Sequence, residues 1–550
     1  MRIVKLIGCT TPAAHKDEYS YDSSDAVEQL NIKSSSSDKL TKLPYYPASA
    51  TPGIIPLSTK AHRAPKGRKW TNWAGNQTCR PSRLLRPTTV QDIVDIVKCA
   101  KEERKTIRCV ASAHTWSSSS VVEDGILVFV NKMTKIFPPA YTEGQGWTVE
   151  LETGVTVRAL DDYLRKHSPP LAMTANIVMD TACYGGMLAL GSHGAATHSR
   201  TLSDLACEVK IVDSTGTLNT FTREKDPIEF SAAACNLGLL GVIYSYTLRV
   251  EPMFNLVMSD SYPLFMDLFD CPKQGGAWLK EMVLLNDQTQ ILYWPFNTHF
   301  KGKGEMKVGR YAKAEVWVKQ WRRTDQPESV TSSWKLCRRV RQHIESSFGT
   351  SVLRIMAAKP KIAPAINSLI HQGLRRPGKK VLAVPDAIHF QGNLEAPIVV
   401  GLECVFKVDK GFERPCRAWR FAVDKVYEYA MCGKYPVNMT MDMRFIKSSD
   451  QIMSYVYDKD PEAIFCTVEI LSAAKTKGFE DFSAMLAQHW MSEYKARVHW
   501  AKLWEHIPGI VPYLREQAGP QLDQFESIRQ KYDPQGMFLN KTFAGVLGHK

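Results

Sequence analysis

The sequence predicts an α+β fold of several domains, and three observations support this prediction. The chain has 550 residues, more than one hydrophobic core usually organises, so two or three domains are expected. Hydrophobic residues make up 44% of the chain and charged residues 23%, as in other globular proteins. From residue 70 onward, apolar runs of strand length are mixed with stretches of helical spacing.

The first predicted elements are short. Thr88 and Gln91 have the spacing of a capping box, and apolar residues recur at helical intervals from Val90 to Ala100. A later helix carries Leu160 and Leu164. The strands are expected at Ile107–Val110, Ile126–Val130, Thr148–Glu152, Glu208–Asp213 and Tyr244–Val250.

The N-terminal segment and the second half of the chain differ in composition from residues 70 to 250. Residues 9 to 65 are rich in Ser, Asp, Lys and Pro and have too little apolar surface to offset the entropy of folding, so a tail is expected. From 253 to 495 the strands are longer and the helices amphipathic, which indicates a separate domain. A short C-terminal part follows.

Positive charge is concentrated in one stretch. The net charge is +14, and residues 301 to 341 hold 12 Lys/Arg against 4 Asp/Glu. Such a stretch could meet nucleic acid, anionic lipid or an acidic substrate, although a solvated face is the more common explanation. Zinc-ligand spacing and aromatic-rich strand motifs are absent, so no nucleic-acid partner and no metal site are expected.

The cysteines indicate a reducing compartment. There are 13 of them, an odd number, scattered and without a C-x-x-C pair. No run of 18 apolar residues is present, so no membrane-spanning helix is expected. The apolar run at the N-terminus is too short for a signal peptide. These features favour an intracellular protein, with mitochondrial targeting and peripheral membrane attachment left open.

Three loops of small residues stand in order beside short strands. The first is Ala111–Trp116 with His114, the second Gly185–Gly194 with His193, and the third Asn236–Ile243. Small residues let backbone N–H groups approach a phosphate or a flat ring closely. The G-x-G-x-x-G turn of dinucleotide-binding folds is not found after the first strand.

Together with the C-terminal segments H-W-A-K-L-W (499–504) and D-P-Q-G-M-F-L-N (533–540), these loops resemble the vanillyl-alcohol-oxidase superfamily, and within it the aldonolactone oxidases. The resemblance covers roughly residues 70 to 545. It implies a PCMH-type FAD-binding domain of two α+β subdomains and an α+β cap domain over the isoalloxazine ring. The implied division is a tail at 1–65, the FAD domain at 66–252, the cap at 253–498, and a returning segment at 499–550.

The resemblance also implies the cofactor-binding residues. His114 stands where family members often bond covalently to the flavin 8α-methyl group; the alternative is a hydrogen-bonded loop histidine. Relatives mostly have glycine at 111–113. The remaining expected FAD-binding positions are Ala111, Ser112, Ala113, Thr115, Trp116, Gly186, Gly191, Ser192, His193, Gly194, Gly241, Ile243 and Lys502.

Lys502 is expected to act in catalysis. A fixed ammonium beside the flavin would stabilise the negative charge of its reduced form; the alternative is a structural salt bridge. In the segment Asn438–Phe445, strand alternation puts Asp442 and Arg444 on one face, where relatives carry Glu-x-Arg at the substrate. The pair would bind and polarise a hydroxyl, or form an ordinary ion pair. Thr467 is an expected substrate contact, and Phe465 replaces a histidine of relatives.

The expected reaction is oxidation of a secondary alcohol by hydride transfer to flavin N5. The resemblance favours a sugar 1,4-lactone of the D-arabinono-1,4-lactone type, with oxygen or another compound as electron acceptor. Ala175 stands where relatives that use oxygen have glycine. Two alternatives stay open: another polyol or natural-product alcohol as substrate, and a non-catalytic binding protein that keeps the flavin fold.

Overall fold

The computed structural model describes residues 69–269, 276–297, 314–392 and 398–549. The predicted tail, and residues 301–313 of the basic stretch, lie outside them. In the described residues no helix is long and apolar enough to span a bilayer.

The first region is a small parallel sheet with one helix. Its strands are ordered β3-β5-β4, and helix α1 buries Ile93, Ile96 and Val97. Its N-cap is Thr89, which forms a capping box with Asp92. The predicted Thr88–Gln91 pair is therefore wrong by one residue, because Gln91 bonds Asp95 instead. The elements are β1 (Trp70–Thr71), β2 (Thr78–Cys79), β3 (Arg83–Leu85), α1 (Val90–Glu102), β4 (Ile107–Val110) and β5 (Ile126–Phe129).

An antiparallel sheet follows, with strand order β10-β9-β11-β7-β6 and β8 paired to β11. Its apolar side chains belong to the main core, with Val149, Leu151, Ile211 and Tyr246 almost fully buried. The elements are β6 (Ala140–Thr142), β7 (Gly146–Glu152), α2 (Val157–Leu164), β8 (Leu171–Ala172), α3 (Tyr184–Ala189), β9 (Ala206–Val212), β10 (Leu218–Thr222), α4 (Pro227–Ala234) and β11 (Val242–Pro252).

The largest sheet in the described residues is antiparallel and has eight strands, in the order β15-β12-β14-β13-β17-β18-β16-β19. Its strands are β12 (Asn255–Ser261), β13 (Gln288–Tyr293), β14 (Trp317–Thr324), β15 (Gly378–Ala383), β16 (Val399–Lys407), β17 (Met441–Lys447), β18 (Ile464–Ala473) and β19 (Arg497–Val498). The helices of this part are α5 (Phe265–Phe269), α6 (Ala277–Leu284), α7 (Ser332–Ala358), α8 (Ala363–Leu374), α9 (Val384–Ile388), α10 (Glu413–Met431) and α11 (Phe479–Tyr494).

The two faces of this sheet differ in chemistry. On one face, alternate side chains of β16, β17 and β18 are apolar, for example Cys404, Met443 and Val468. These side chains belong to the main core, together with Trp419 of α10 and Trp490 of α11. The opposite face therefore carries the intervening residues of the same strands. Those residues include several charged side chains, which the order and register of the three strands bring together.

The C-terminal segment returns to the first region. It contains α12 (Ile510–Tyr532) and α13 (Lys541–Val546). Ile107 N–H donates to the Met537 carbonyl at 2.8 Å. The buried Arg108 guanidinium donates to the carbonyls of Ser119 (2.6 Å), Leu237 (2.8 Å), Gly238 (2.9 Å) and Phe538 (2.5 Å). One side chain thus holds β4, the third small-residue loop and the C-terminus together.

Candidate active site

The polar face of the eight-stranded sheet carries a row of buried carboxylates. Asp442 on β17, Glu469 on β18 and Glu403 on β16 are successive cross-strand partners. Arg444 lies opposite Thr467 in the next row. All five side chains are largely or fully buried, so each charge needs a counter-charge or a hydrogen bond.

Two cations neutralise the row. Arg444 Nη2 lies 2.6 Å from Glu469 Oε2 and 2.9 Å from Asp442 Oδ2. Lys502 Nζ donates to Glu469 Oε1 at 2.5 Å and lies 3.6 Å from Glu403 Oε2. Gln290 on β13 donates to Asp442 Oδ2 at 2.8 Å. Glu469 therefore bridges the two cations that the sequence predicted as catalytic.

The charge states differ along the row. Burial raises the pKa of Asp442 to about 6; the Arg444 charge opposes this rise, and the Glu469 charge adds to it. Burial also acts to raise the pKa of Glu403, but the charges of His193, Lys502 and Arg444 outweigh it and hold this pKa well below its usual value. Asp442 can therefore exchange a proton near neutral pH, whereas Glu403 stays ionised.

His193 connects the row to the second small-residue loop. Its Nδ1 lies 2.8 Å from the Gly194 carbonyl, which can only accept, and its Nε2 lies 3.0 Å from Glu403 Oε1. Both ring nitrogens therefore face a hydrogen-bond acceptor. His499 differs: burial holds its pKa well below the usual value, and its Nδ1 accepts from Ala501 N–H at 3.1 Å.

These histidines and Glu403 are the one group of three in the described part of the chain whose ligand atoms lie within coordinating reach, all within 4.8 Å of one another. The His193–Glu403 hydrogen bond already uses two of these atoms. The expectation that the protein has no metal site stays a prediction.

Four buried polar atoms of this face have no hydrogen-bond partner among the described residues: Asp442 Oδ1, Glu403 Oε2, Thr467 Oγ1 and Arg444 Nε. An unsatisfied buried polar group costs about 1–3 kcal/mol. Because the four atoms cluster in two adjacent cross-strand rows, they offer hydrogen-bond acceptors and donors to a bound molecule. A ligand with hydroxyl groups would satisfy them.

The first small-residue loop lies against the Lys502 segment. Trp116 N–H donates to the Ala501 carbonyl at 2.8 Å, and the Lys502 ammonium lies 4.7 Å from the centre of the Trp116 ring. Thr115 is fixed through its carbonyl, which accepts from Asn72 Nδ2 at 2.9 Å. The structure thus places this loop beside Lys502.

Two residues of that loop have unusual settings. Ala113 has φ +58°, a left-handed conformation that costs a residue with a Cβ about 1–2 kcal/mol. Glycine at this position would not carry that cost. Burial lowers the pKa of His114 to about 4, so the imidazole is neutral at physiological pH; its ring lies 5.3 Å from the Trp73 ring.

In the second loop, Gly194 is needed for a close approach and Gly191 for a positive φ, whereas Gly186 is not crowded. A Cβ on Gly194 would lie 2.7 Å from the Asn176 carbonyl oxygen, next to the buried Ala175. Gly191 has φ +69°, and its carbonyl accepts from Tyr455 OH at 2.5 Å. A Cβ on Gly186 would meet open space. Ser192 N–H donates to the Met187 carbonyl at 2.8 Å.

Gly241 and Ile243 lie at the start of β11, against β9. A Cβ on Gly241 would clash with the Val212 carbonyl oxygen, and Ile243 pairs with Ile211. Phe465, on the same face of β18 as Thr467, is buried and lies 5.7 Å from the Arg497 guanidinium.

Sequence reasoning missed Glu403, Glu469 and Gln290. A signal was available for the two glutamates, because each stands in an otherwise apolar strand, V-V-G-L-E-C-V-F and I-F-C-T-V-E-I-L. A carboxylate there is costly unless a cation faces it. Their partners could not be found in this way, because Lys502 is 33 residues from Glu469 along the chain.

Comparisons with known proteins agree with this architecture. Residues 81–222 match the family model of a FAD binding domain, and residues 306–546 match that of D-arabinono-1,4-lactone oxidase. L-gulono-1,4-lactone dehydrogenase of Mycobacterium tuberculosis is 23% identical over 87% of this chain and 99% of its own. L-gulonolactone oxidase of Bos taurus is 24% identical over 86% of this chain and 97% of the length of the relative.

D-arabinono-1,4-lactone oxidase of Saccharomyces cerevisiae is 28% identical over 37% of this chain and 38% of its own. Cholesterol oxidase from B. sterolicum has the same fold, with a TM-score of 0.73, 17% identity, and coverage of 90% of this chain and 100% of that one. The predicted α+β PCMH-type fold, the FAD cofactor and the oxidoreductase class are confirmed. The predicted domain boundaries and site residues stay predictions.

Proposed function

We propose that this chain, a FAD-dependent oxidoreductase of the aldonolactone-oxidase type, oxidises a secondary hydroxyl group of a sugar 1,4-lactone. The observation that carries the proposal is the row of buried carboxylates on the eight-stranded sheet. There, Asp442, Arg444, Glu469 and Lys502 form one ion-pair network beside unpaired polar atoms. FAD, when bound, supplies the hydride acceptor, N5 of its ring.

The residues of the row have separate tasks in this proposal. Asp442 Oδ1 accepts the hydroxyl proton, which its pKa of about 6 permits at neutral pH. Arg444 Nε and Thr467 Oγ1 hold the substrate oxygens. As the proton moves to Asp442, the carbon gives up its hydride and the C–O bond becomes a carbonyl. Lys502 supplies positive charge for the reduced cofactor.

The cofactor would be held by the loops around His114 and His193. Ala111–Trp116 and Gly186–Gly194, with Gly241 and Ile243 behind them, contribute backbone groups and space. We assign to His114 a covalent bond to the flavin, supported by its neutral imidazole. Acid precipitation tests this: flavin should stay with the pellet in wild type and appear in the supernatant of His114→Ala. Flavin in the wild-type supernatant would refute the bond.

A second candidate substrate is a larger, less polar alcohol. Phe465 is buried beside the row, and Asp442 is one methylene shorter than the glutamate of relatives, which leaves more room near the reacting carbon. Anaerobic bleaching of the flavin by a panel of lactones, polyols and sterols separates the two candidates. The same experiment tests the non-catalytic alternative, because a binding protein would not be bleached by any of them.

The electron acceptor is proposed from one side chain. Ala175 is buried next to Asn176, whose carbonyl contacts Gly194. Its methyl group would restrict access of oxygen to the flavin, so another acceptor is favoured. Air reoxidation of the reduced protein should become faster in Ala175→Gly. Equal and fast rates in both proteins would contradict this.

We further propose an intracellular location, in cytoplasm or mitochondria, with peripheral attachment to a membrane. Buried free thiols at Cys79, Cys235, Cys404 and Cys466 suit a reducing compartment. The net charge of +14 suits an anionic surface. Fractionation of cells into soluble and membrane pools, with and without a salt wash, tests both parts.

A further inference from the structure

We propose that the outer surface formed by helices α7 and α8 is the site at which this protein binds an anionic lipid bilayer. Helix α7 exposes Leu336, Val340 and Ile344, with 64%, 52% and 51% of each residue accessible to solvent. These residues are four apart, so they form one stripe along the helix. Exposed apolar side chains in a stripe mark an interaction surface.

The stripe continues beyond Ile344. Ile355 is 51% exposed, and at about 100° per residue it falls in the same sector of the helix as Leu336, Val340 and Ile344, roughly 100° wide. On the next helix along the chain, α8, Leu369 is also exposed, to 67%. We call Leu336, Val340, Ile344 and Ile355 the α7 stripe.

The surroundings of the α7 stripe are strongly basic. Residues 332 to 380 contain 11 Lys/Arg and one acidic residue, Glu345, so most of the net charge of +14 comes from this region. Some cations are paired, as Lys335 is with Glu328 and Arg375 with Glu315. Arg339 lies 4.0 Å from Asp386, and 67% of its side chain is still exposed to solvent. An anionic partner is therefore complementary.

The apolar stripe and its basic flanks together favour a lipid bilayer as the partner of this surface. A helix with an apolar side and a Lys/Arg-rich polar side lies in the plane of the interface, with its apolar side chains among the acyl chains. A second copy of the chain would bring two strongly basic surfaces together, which charge repulsion opposes. Nucleic acid would satisfy the cations through its phosphates but would leave the apolar stripe in water.

This inference deepens the proposed membrane attachment by naming the surface, and it does not depend on catalysis. The test is flotation of the full-length FAD-loaded protein with vesicles of phosphatidylcholine alone and with vesicles that also contain phosphatidylserine. We expect binding to the anionic vesicles, weakened by salt because of screening.

Two sets of variants locate the surface. In Leu336→Ser/Val340→Ser/Ile344→Ser, partitioning should fall by more than about a hundredfold, since each buried CH₂ contributes roughly fourfold. In Arg339→Glu/Arg354→Glu it should fall at least about tenfold. Matched controls are Ile228→Ser/Tyr141→Ser, equally exposed on α4 and β6, and Lys98→Glu/Lys101→Glu on α1; both should bind like wild type.

The outcomes separate the surface from the attachment itself. Unchanged binding in both variant sets would overturn the α7–α8 surface while leaving membrane attachment through another face. No binding of wild type to anionic vesicles would overturn the surface and the attachment together. Loss of a dimer in the stripe variants, without loss of vesicle binding, would assign the stripe to self-association and also overturn the proposal.

Discussion

Glu469→Gln tests the electrostatic coupling within the buried row. Glu469 and Asp442 bind the same Arg444 nitrogen, at 2.6 and 2.9 Å, so their carboxylate oxygens cannot be farther apart than the sum of these distances. Two like charges about 5 Å apart interact by roughly 3 kcal/mol at an effective dielectric constant of about 20. At that separation the interaction corresponds to about 2 pKa units on Asp442, and the positive charge of Arg444 between the two carboxylates reduces it.

The substitution should lower the pKa of Asp442. Glu469 raises this pKa through its negative charge, so the neutral amide favours the ionised Asp442. If Asp442 is the base, the acid limb of the pH profile of kcat/KM, near pH 6 in wild type, should move about 1 unit lower in the variant. The limb reflects Asp442 losing its function as it is protonated.

The assay is the rate of anaerobic flavin reduction by the best lactone, measured by stopped flow from pH 5 to 9. Glu315→Gln is the control, because it also removes a carboxylate paired with an arginine, Arg375, but outside the row. Its acid limb should stay in place. An unmoved or raised limb in Glu469→Gln would refute the assignment of Asp442 as the base.

Three further predictions concern stability and the site. Asp442→Asn should retain flavin but reduce it at least about 100-fold more slowly. Because the pKa of Asp442 in the folded protein is raised to about 6, the stabilisation by its protonated carboxyl group is full below about pH 4 and is lost as pH rises through 6. Asn should therefore raise the free energy of urea unfolding by about 1–3 kcal/mol at pH 8. Arg108→Met should lower it by about 3–5 kcal/mol, because four carbonyls lose a buried cation; a change under about 1 kcal/mol would contradict this. Ala113→Gly should raise the thermal midpoint by relieving φ +58°, and an unchanged or lower midpoint would show that the loop is unstrained.

Local patterns were sufficient for many elements. Ile107–Val110 was predicted as a strand between a helix and a loop, and it is one with the same bounds. Alternation correctly placed Asp442 and Arg444 on one face of β17. The capping box was misplaced because two threonines are adjacent, and Asp92 can close the box on Thr89 as Glu or Gln would.

The network around Lys502 could not be read from local patterns. Its partner depends on the order β17-β18-β16 and on their register, which set Asp442, Glu469 and Glu403 side by side. The sequence suggested a flavin as the anionic partner of Lys502, with a structural salt bridge as the alternative. The structure shows an ion pair with Glu469, so Lys502 is held in place by the protein itself before any charge forms on a cofactor.

The most direct test of the central claim is the effect of Lys502→Met on the flavin. The reduction potential should fall in the variant, because a positive charge no longer stabilises the reduced form, and anaerobic reduction by substrate should slow by about 100-fold or more. Flavin content should be unchanged. A Lys502→Met protein with wild-type potential and wild-type reduction rate would contradict the account.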